Sequence, residues 1–191
     1  MNLNHQKMIF PDGFECYYVS SQEETRYIYN EVFTEQQYIQ NGIVVNEGDC
    51  IFDVGANIGM FSMFVNQLKR NLKTYAFEPI PSTFEVLKSN VELHSLKDNL
   101  FVFNYGISAD DNTEKVFTFY PQMAGNSTSK PLEKFVNLQK NESADVDEGD
   151  LFKDFFTQVE DIKCKLRTLS SVIEELRIEC IDLLKIDVEG E

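Results

Sequence analysis

Apolar and polar residues alternate along the chain in a pattern that predicts strands and helices in turn from residue 50 onward. Short apolar runs bounded by Gly, Pro or Asp are typical of strands, whereas apolar residues three or four positions apart are typical of helices. Strands separated by helices at this spacing indicate βαβ units, and therefore a doubly wound α/β fold with a mostly parallel sheet. The pattern predicts strands at 50–54, 74–77, 100–105, 116–120, 165–167 and 181–188, and helices at 58–68, from 81 onward and at 171–177.

Two sequence features refine this main domain, which spans 46–191. Capping boxes at Ser82–Glu85 and Ser171–Glu174 are predicted to open the second and third helices. The segment 181–188 has the strongest strand pattern in the chain, consistent with a parallel strand that is buried.

Two further segments do not follow the alternation. Residues 1–45 form an N-terminal preface, in which Pro11-Asp12-Gly13 predicts the turn of a hairpin and 23–38 fits a helix only loosely. Residues 121–161 are polar and acidic without a clear period. They predict an insertion or lid, with a short helix near Phe152-Phe155-Phe156.

Charge and composition exclude several classes of function. The chain has 17 basic and 32 acidic residues, a net charge of −15, which argues against a nucleic-acid partner because phosphates need clustered Lys and Arg. No apolar run approaches the roughly 18 residues of a membrane span, and the N-terminus does not resemble an export signal. The four cysteines include no C-x-x-C pair. We therefore expect a soluble, cytoplasmic protein without disulfides, structural zinc or membrane contact.

A glycine-containing turn follows the first strand of the main domain. Gly55 permits a tight turn and close approach of a ligand, while Gly59 lets the following helix pack near the sheet. Glu78 ends the next strand, 25 positions after Asp53, where an acid can accept both hydroxyls of a ribose. Together these features predict a nucleoside cofactor.

The identity of that cofactor depends on Asn57, which occupies the position of the second glycine in the dinucleotide fingerprint. The close backbone approach to a pyrophosphate is therefore compromised. S-adenosylmethionine has no phosphate but has ribose hydroxyls, an adenine and an amino-acid tail, whose ammonium Asp53 can serve directly or through water. The departure from the fingerprint favours S-adenosylmethionine over a nicotinamide dinucleotide.

Three ordered motifs resemble those of the FkbM-type S-adenosylmethionine-dependent methyltransferases: Ile51–Gly59, Ala76–Pro79 and Leu184–Gly190. Two softer likenesses, Glu31–Tyr38 and Tyr120–Met123, resemble members associated with polyketide and nonribosomal-peptide assembly lines. The resemblance implies the class I, Rossmann-like methyltransferase fold and methyl transfer, usually to a hydroxyl of a small metabolite or sugar. It also implies cofactor contacts at Glu78 and at the glycine turn: Gly55, Ala56, Asn57 and Gly59.

The same resemblance implies that the loop after the third strand, with Gly106, Ile107 and Ser108, frames the adenine. An acid that the family has in this stretch corresponds loosely to Asp110. Gly106 is equally compatible with a plain turn that ends a strand.

Transfer to an alcohol also requires a group that removes the hydroxyl proton. His5 lies near the N-terminus and His94 ends a helix, away from the strand ends where parallel sheets keep their sites. Asp187 follows the strongest strand, so we expect it to be the catalytic residue; the alternative is a helix cap or an ordinary loop carboxylate. Asp187, Glu189 and Glu191 also suggest a magnesium site, but the sequence has no further alternating polar ligands and we expect no metal.

A class I methyltransferase continues after such a strand with a helix and about three more strands, roughly 50 residues in all. The sequence stops at Glu191. We therefore expect a sheet truncated after its fourth core strand, either because the chain is a fragment or because the remainder is supplied otherwise. Alone, the chain should expose its last strand and self-associate.

Taken together, the sequence predicts an O-methyltransferase for a small-molecule natural product, a sugar or a carrier-tethered chain, with assembly-line domains as possible partners. One alternative is a catalytically silent docking module that keeps the cofactor fold within a larger assembly. A second is a nicotinamide-dependent oxidoreductase, which Asn57 disfavours. The aromatic residues of the preface either cover the acceptor or, more commonly in proteins, pack a small subdomain onto the sheet.

Overall fold

The computed structural model describes residues 6–19, 21–121, 124–127, 129 and 159–188. Within these ranges the predicted alternation of strands and helices is present. The strands are β1 (Gln6–Ile9), β2 (Glu15–Tyr18), β3 (Cys50–Val54), β4 (Lys73–Phe77), β5 (Leu100–Phe103), β6 (Gly106–Ile107), β7 (Thr113–Phe119), β8 (Glu160–Arg167) and β9 (Leu183–Ile186). The α-helices are α1 (Gln22–Tyr29), α2 (Met60–Leu68), α3 (Pro81–Leu93) and α4 (Leu169–Leu176), with a π-helical turn at Asn30–Thr34 and 3₁₀ turns at Gln37–Ile39 and Ala124–Asn126.

The central sheet has the strand order β5-β4-β3-β9, and all of its strand pairs are parallel. The chain winds outward from β3 through β4 to β5 and then returns to the other side of β3 with β9. Helices connect these strands. This is a doubly wound α/β fold with a parallel sheet, as predicted, and its ligand crevice is expected outside the carboxyl ends of the strands.

The register of the sheet aligns the ends of three strands. Val54 pairs with Phe77 on one side and with Ile186 on the other. The residues that follow each strand, Gly55, Glu78 and Asp187, therefore emerge at the same edge of the sheet.

A second sheet, ordered β6-β8-β7, lies outside the parallel one. Its strand β8 begins at Glu160, five residues earlier than the predicted strand at 165–167. The sequence missed this part because the strand is mostly polar: only Cys164 and Leu166 of β8 are buried. The predicted strand at 100–105 is also split, because β5 ends at Phe103 and Gly106 joins the second sheet.

Both predicted capping boxes are wrong, although both helices exist. Helix α3 begins at Pro81, after Ile80, which makes no side-chain cap; proline needs no N–H partner in a first turn. Helix α4 begins after Thr168, whose hydroxyl oxygen accepts a hydrogen bond from the Ser171 backbone N–H at 3.2 Å. The cap thus lies three residues before the predicted one.

Strand β9 is the last described strand of the parallel sheet, and its burial differs from the prediction. Leu184 and Ile186 are 39% and 61% exposed, whereas Lys185 is buried. The polar residue of this apolar strand is therefore the one that faces inward.

The preface is a hairpin followed by helical turns, and it packs against the parallel sheet's helices. Strands β1 and β2 pair in antiparallel register around the predicted turn. Buried residues of this hairpin share one apolar cluster with α2. The helix predicted loosely at 23–38 is broken into α1, the π-helical turn and a 3₁₀ turn.

Two further predictions concern the insertion and the possibility of a membrane-spanning helix. Most of the insertion at 121–161, including the predicted helix near Phe152-Phe155-Phe156, lies outside the described residues. In the described part of the chain, no helix combines the length and apolar character that crossing a membrane requires.

Asn90 on α3 connects the preface to the glycine turn. Its side chain is fully buried and accepts a hydrogen bond from Tyr17 N at 2.7 Å. It donates to Tyr17 O at 3.0 Å and to Ile58 O at 2.9 Å. One amide therefore satisfies backbone groups in two separate segments.

We predict that Asn90→Ala lowers the free energy of unfolding by about 2–4 kcal/mol, because it removes three hydrogen bonds to backbone groups, including the buried one to Ile58 O. Chemical denaturation measures this change. Glu92→Ala on the same helix is the control: Glu92 is exposed and paired with Lys97, and its loss should cost under about 1 kcal/mol. Equal effects of the two substitutions would contradict the assigned role of Asn90.

Candidate functional site

An open cleft of about 700 Å³, counting its mouth, lies at the carboxyl ends of β3, β4 and β9. Elements of both sheets form its walls, together with the turn at Ala124–Asn126. Six residues singled out from the sequence line it: Gly55, Asn57, Glu78, Gly106, Ile107 and Asp187.

The turn after β3 requires glycine at position 55. Gly55 has a φ of +75°, and a Cβ added there would lie 2.0 Å from the carbonyl oxygen of Asp187. The N–H groups of Gly55 and Ala56 both donate to the carbonyl oxygen of Phe77, at 3.1 and 3.0 Å. No L side chain fits between these two strand ends, so the backbone itself faces the cleft.

Gly59 allows two helices to pack closely and does not line the cleft. It has a φ of +89° at the start of α2, and an added Cβ would lie 2.5 Å from Leu87 Cδ1. The close approach is therefore between α2 and α3, not between α2 and the sheet as expected.

Glu78 lies at the base of the cleft with both carboxylate oxygens engaged by backbone. Oε2 accepts from Asn57 N and Oε1 from Ile80 N, each at 2.9 Å. The side chain is nearly fully buried, and this burial raises the pKa of Glu78 to about 7. The two backbone donors and Lys185 oppose that rise, so burial dominates over hydrogen bonding.

Asn57 joins the glycine turn to Glu78 through that hydrogen bond. It adopts a left-handed backbone conformation with φ of +50°, which asparagine tolerates better than most residues. The position of the second fingerprint glycine is therefore occupied by an asparagine whose backbone adopts the left-handed conformation.

Lys185 is the residue that the sequence analysis missed. Its Nζ donates to the Gly55 carbonyl at 2.8 Å and lies 3.1 Å from Asp53 Oδ1. The parallel register sets Lys185 directly opposite Asp53, and a lysine inside an apolar strand was the signal that could have revealed it.

Asp53 lies behind the glycine turn and does not line the cleft. It has no exposed surface, and its Oδ2 accepts from the Ser62 hydroxyl at 2.7 Å. With Lys185 at its other oxygen, this carboxylate supports the turn from within the protein.

Asp187 lies where the cleft meets a second, smaller compartment of about 350 Å³. Gly55, Asn57 and Asp187 line both spaces. The hydroxyl of Tyr38 donates to Asp187 Oδ2 at 2.8 Å, and Lys185 Nζ lies 3.6 Å from the same oxygen. The preface thus contributes a side chain to this junction.

The aromatic residues of the preface differ in what they contact. Tyr38 lines the second compartment and packs edge-on against Phe61, with ring centroids 5.4 Å apart. Burial, followed by the Asp187 carboxylate, raises the pKa of Tyr38, so its hydroxyl keeps its proton. Tyr29 and Phe33 instead stack on each other within the apolar cluster.

Of the remaining candidates, Gly106 lines the cleft, whereas Asp110 and His94 do not. Gly106 lines the cleft and is also a tight packing position, because an added Cβ would lie 2.8 Å from Leu166 Cδ2. Asp110 is exposed and does not line the cleft, and Ser108 accepts from its backbone N–H. His94 stacks on Phe14 and lines a separate surface hollow, so it has no place at the candidate site.

Metal ligation was considered for Asp187, Glu189 and Glu191. Among the described residues, no group of three His, Cys, Asp or Glu side chains is arranged to hold a metal ion. Glu189 and Glu191 lie outside the described residues.

Comparison with known proteins identifies the family. The Methyltransferase FkbM domain matches residues 53–191, which include the glycine turn, Glu78 and Asp187. This chain belongs to the FkbM methyltransferase family. The resemblance stated from the motifs is thereby confirmed, and the family match favours the methyltransferase over the nicotinamide-dependent oxidoreductase.

Several curated relatives align with nearly the whole of this FkbM-family chain. Methyltransferase sdnD from Sordaria araneosa is 34% identical over 188 residues, which are 91% of this chain and 68% of sdnD. The 31-O-demethyl-FK506 methyltransferase FkbM from Streptomyces tacrolimicus is 32% identical over 186 residues, 94% of this chain and 70% of that protein. The AMB antimetabolite synthetase AmbE from Pseudomonas aeruginosa is 34% identical over 182 residues, and this chain spans 8% of its length.

Among solved structures, a methyltransferase FkbM from Methylobacillus flagellatus is similar over 81% of this chain and 30% of its own. The TM-score is 0.47 at 12% identity, too low to carry an argument about function. The fold class therefore stands on the family match and on the strand order.

We predict that the pH dependence of stability changes in Glu78→Gln. Because the pKa of Glu78 is raised to about 7, its contribution to stability is complete below about pH 4.5 and is lost as the pH rises through about 7. Glutamine cannot ionise, so between pH 5 and 8 the variant should gain on the wild type by up to about 3 kcal/mol.

Denaturant unfolding of both proteins across this range measures the difference. A pH-independent offset is expected at every pH, since an amide cannot accept both backbone hydrogen bonds. If the difference between the two proteins stays constant from pH 5 to 8, the buried, proton-retaining carboxyl is refuted.

Proposed function

We propose that this chain binds S-adenosylmethionine in the cleft and transfers its methyl group to a hydroxyl oxygen of a small acceptor. The observation that carries the proposal is the Glu78 carboxylate, fixed at the end of β4 beside a glycine turn that brings bare backbone to the cleft. A ribose with two free hydroxyls matches such an acceptor group.

The residues present fit this cofactor in three respects. Each oxygen of Glu78 accepts one backbone hydrogen bond and so retains a lone pair for a ribose hydroxyl. Gly55 lines the cleft and adds no side chain to its wall. Lys185, whose ammonium contacts the turn, is already held by Asp53 and the Gly55 carbonyl, so it does not invite a pyrophosphate.

Other candidate residues have supporting roles in this proposal. Gly106 and Ile107 line the side of the cleft next to Pro79 and Phe117, an apolar wall suited to the adenine. Ala56 and Asn57 continue the turn beneath the remainder of the cofactor. Gly59 sets the approach of α2 to α3, and Asp53 acts through Lys185 on the shape of the turn.

When bound, S-adenosylmethionine supplies an electrophilic methyl group on a sulfonium sulfur. The protein's part is to hold the acceptor oxygen in line behind that carbon and to exclude water. We assign Asp187 as the general base: its carboxylate would accept the proton that the acceptor hydroxyl loses when its oxygen takes the methyl group, the sulfur–methyl bond breaks and S-adenosylhomocysteine leaves. The contacts of Tyr38 and Lys185 both fall on Oδ2, which orients the carboxylate at the junction of the two compartments.

The acceptor class is inferred from the relatives' names. One relative is named for a substrate that lacks an O-methyl group, and another is an antimetabolite synthetase. The first name supports a hydroxyl as the acceptor group, and the second supports a role in the synthesis of a natural product. We extend this to a natural-product intermediate or sugar, free or tethered to a carrier, with assembly-line domains as partners. The alternative, a catalytically silent docking module, requires cofactor binding without turnover.

We predict that Glu78→Ala weakens binding of S-adenosylhomocysteine at least about a hundredfold, since two charge-assisted hydrogen bonds to the ribose are lost. Isothermal titration calorimetry on the full polypeptide measures this. Glu92→Ala, an exposed glutamate on α3, should bind like the wild type. If the wild type binds no S-adenosylhomocysteine, the cofactor proposal is wrong.

We predict that Asp187→Asn lowers kcat by about 10²–10⁴-fold on any hydroxylated acceptor that the wild type methylates, because an amide cannot take up the proton. Transfer of a radiolabelled methyl group measures turnover. Binding of S-adenosylhomocysteine should change much less than kcat. Unchanged turnover would remove Asp187 from the mechanism, and no turnover by the wild type on any hydroxylated acceptor would favour the docking module.

A further inference from the structure

The second compartment has no role in the proposal above, although it shares three lining residues with the cleft: Gly55, Asn57 and Asp187. If Glu78 holds the ribose, the rest of the cofactor would need a space beside the glycine turn, and residues of that turn line the second compartment. The amino-acid tail of S-adenosylmethionine carries an ammonium and a carboxylate, and both need partners when they leave water.

The partner that the sequence suggested for the ammonium, Asp53, is not accessible to it. Asp53 has no exposed surface, and its two oxygens face Ser62 and Lys185 inside the protein. A direct contact between the tail and Asp53 would need the glycine turn to be displaced.

Glu31 of the preface offers a carboxylate in the right place. It lies in the π-helical turn after α1 and lines the second compartment together with Tyr38 and Asp187. Lys185 is the cationic side chain that lines this compartment in the described part of the chain, and Asp53 and Asp187 already share it. Burial, and then the nearby carboxylates of Asp187 and Glu35, raise the pKa of Glu31, a cost that a bound cation would offset.

Another part of the compartment's lining suits the tail's carboxylate. Ile58, Met60 and Phe61 line it, and they belong to the turn before α2 and to its first turn. The first N–H groups of a helix have no partner within the helix, and its dipole favours negative charge there. A compartment lined by acidic groups and by a helix start is complementary to an α-amino acid zwitterion.

We propose that the second compartment binds the amino-acid tail of the cofactor and that Glu31 receives its ammonium group. This assignment rests on the proposed function, because it concerns a subsite of the same cofactor. It makes the N-terminal preface part of the cofactor site.

The test compares two ligands that differ in the tail. S-adenosylhomocysteine has the amino-acid tail, whereas 5′-methylthioadenosine has the same nucleoside and sulfur without it. In Glu31→Gln we expect S-adenosylhomocysteine to bind about 10- to 100-fold more weakly, the effect of losing one charge-assisted contact. Binding of 5′-methylthioadenosine should stay within about twofold of the wild type, which also shows that the variant is folded.

Glu35→Gln is the matched control, because Glu35 is an exposed glutamate four residues away that does not line the compartment. Both ligands should bind it like the wild type. If Glu31→Gln weakens both ligands equally, or neither, Glu31 is not the tail's partner while the cofactor proposal stands. If the wild type binds neither ligand, the cofactor proposal fails and this assignment fails with it.

Discussion

The buried ammonium of Lys185 is the interaction on which the ligand end of the parallel sheet depends. It reaches the Asp53 carboxylate and the Gly55 carbonyl at once, from the strand next to β3. A carboxylate without exposed surface is tolerated only beside a close counter-charge. The same cation fixes the carbonyl of the tight turn, so the register of β3 and β9, the burial of Asp53 and the path of the glycine turn are coupled.

Around this fixed turn, the walls of the site come from segments outside the alternating pattern. Tyr38 of the preface contacts Asp187, and Glu24 of α1 accepts hydrogen bonds from Ala124 N and Gly125 N, at 3.2 and 3.0 Å. A parallel sheet places strand ends and turns at one edge but leaves them open to solvent. The preface and the first part of the insertion enclose that edge, which explains how a common fold acquires a particular site.

The sequence predicted the bounds of an element correctly where the burial of its residues and their local conformational preferences indicate the same structure. The strand at 50–54 was found with its boundaries unchanged, because its apolar run lies in the middle of the sheet. Strand β8 was found only in part, because most of its side chains face solvent and its hydrogen-bond partner β7 is distant in the sequence. Both capping boxes failed because a competing residue lay within reach: Pro81 needs no cap, and Thr168 precedes Ser171 by one turn.

The sequence by itself determined the order of strands and helices, the glycine turn, the position of Glu78 and the family, since each follows from residues within a few positions of one another. Only the tertiary structure decided that Asp53 lies behind the turn with Lys185, and that Tyr38 reaches Asp187 across 149 positions. Periodicity and motifs report the neighbours of a residue along the chain. The partners of a buried charge are set by strand pairing and by packing between remote segments, so no local pattern specifies them.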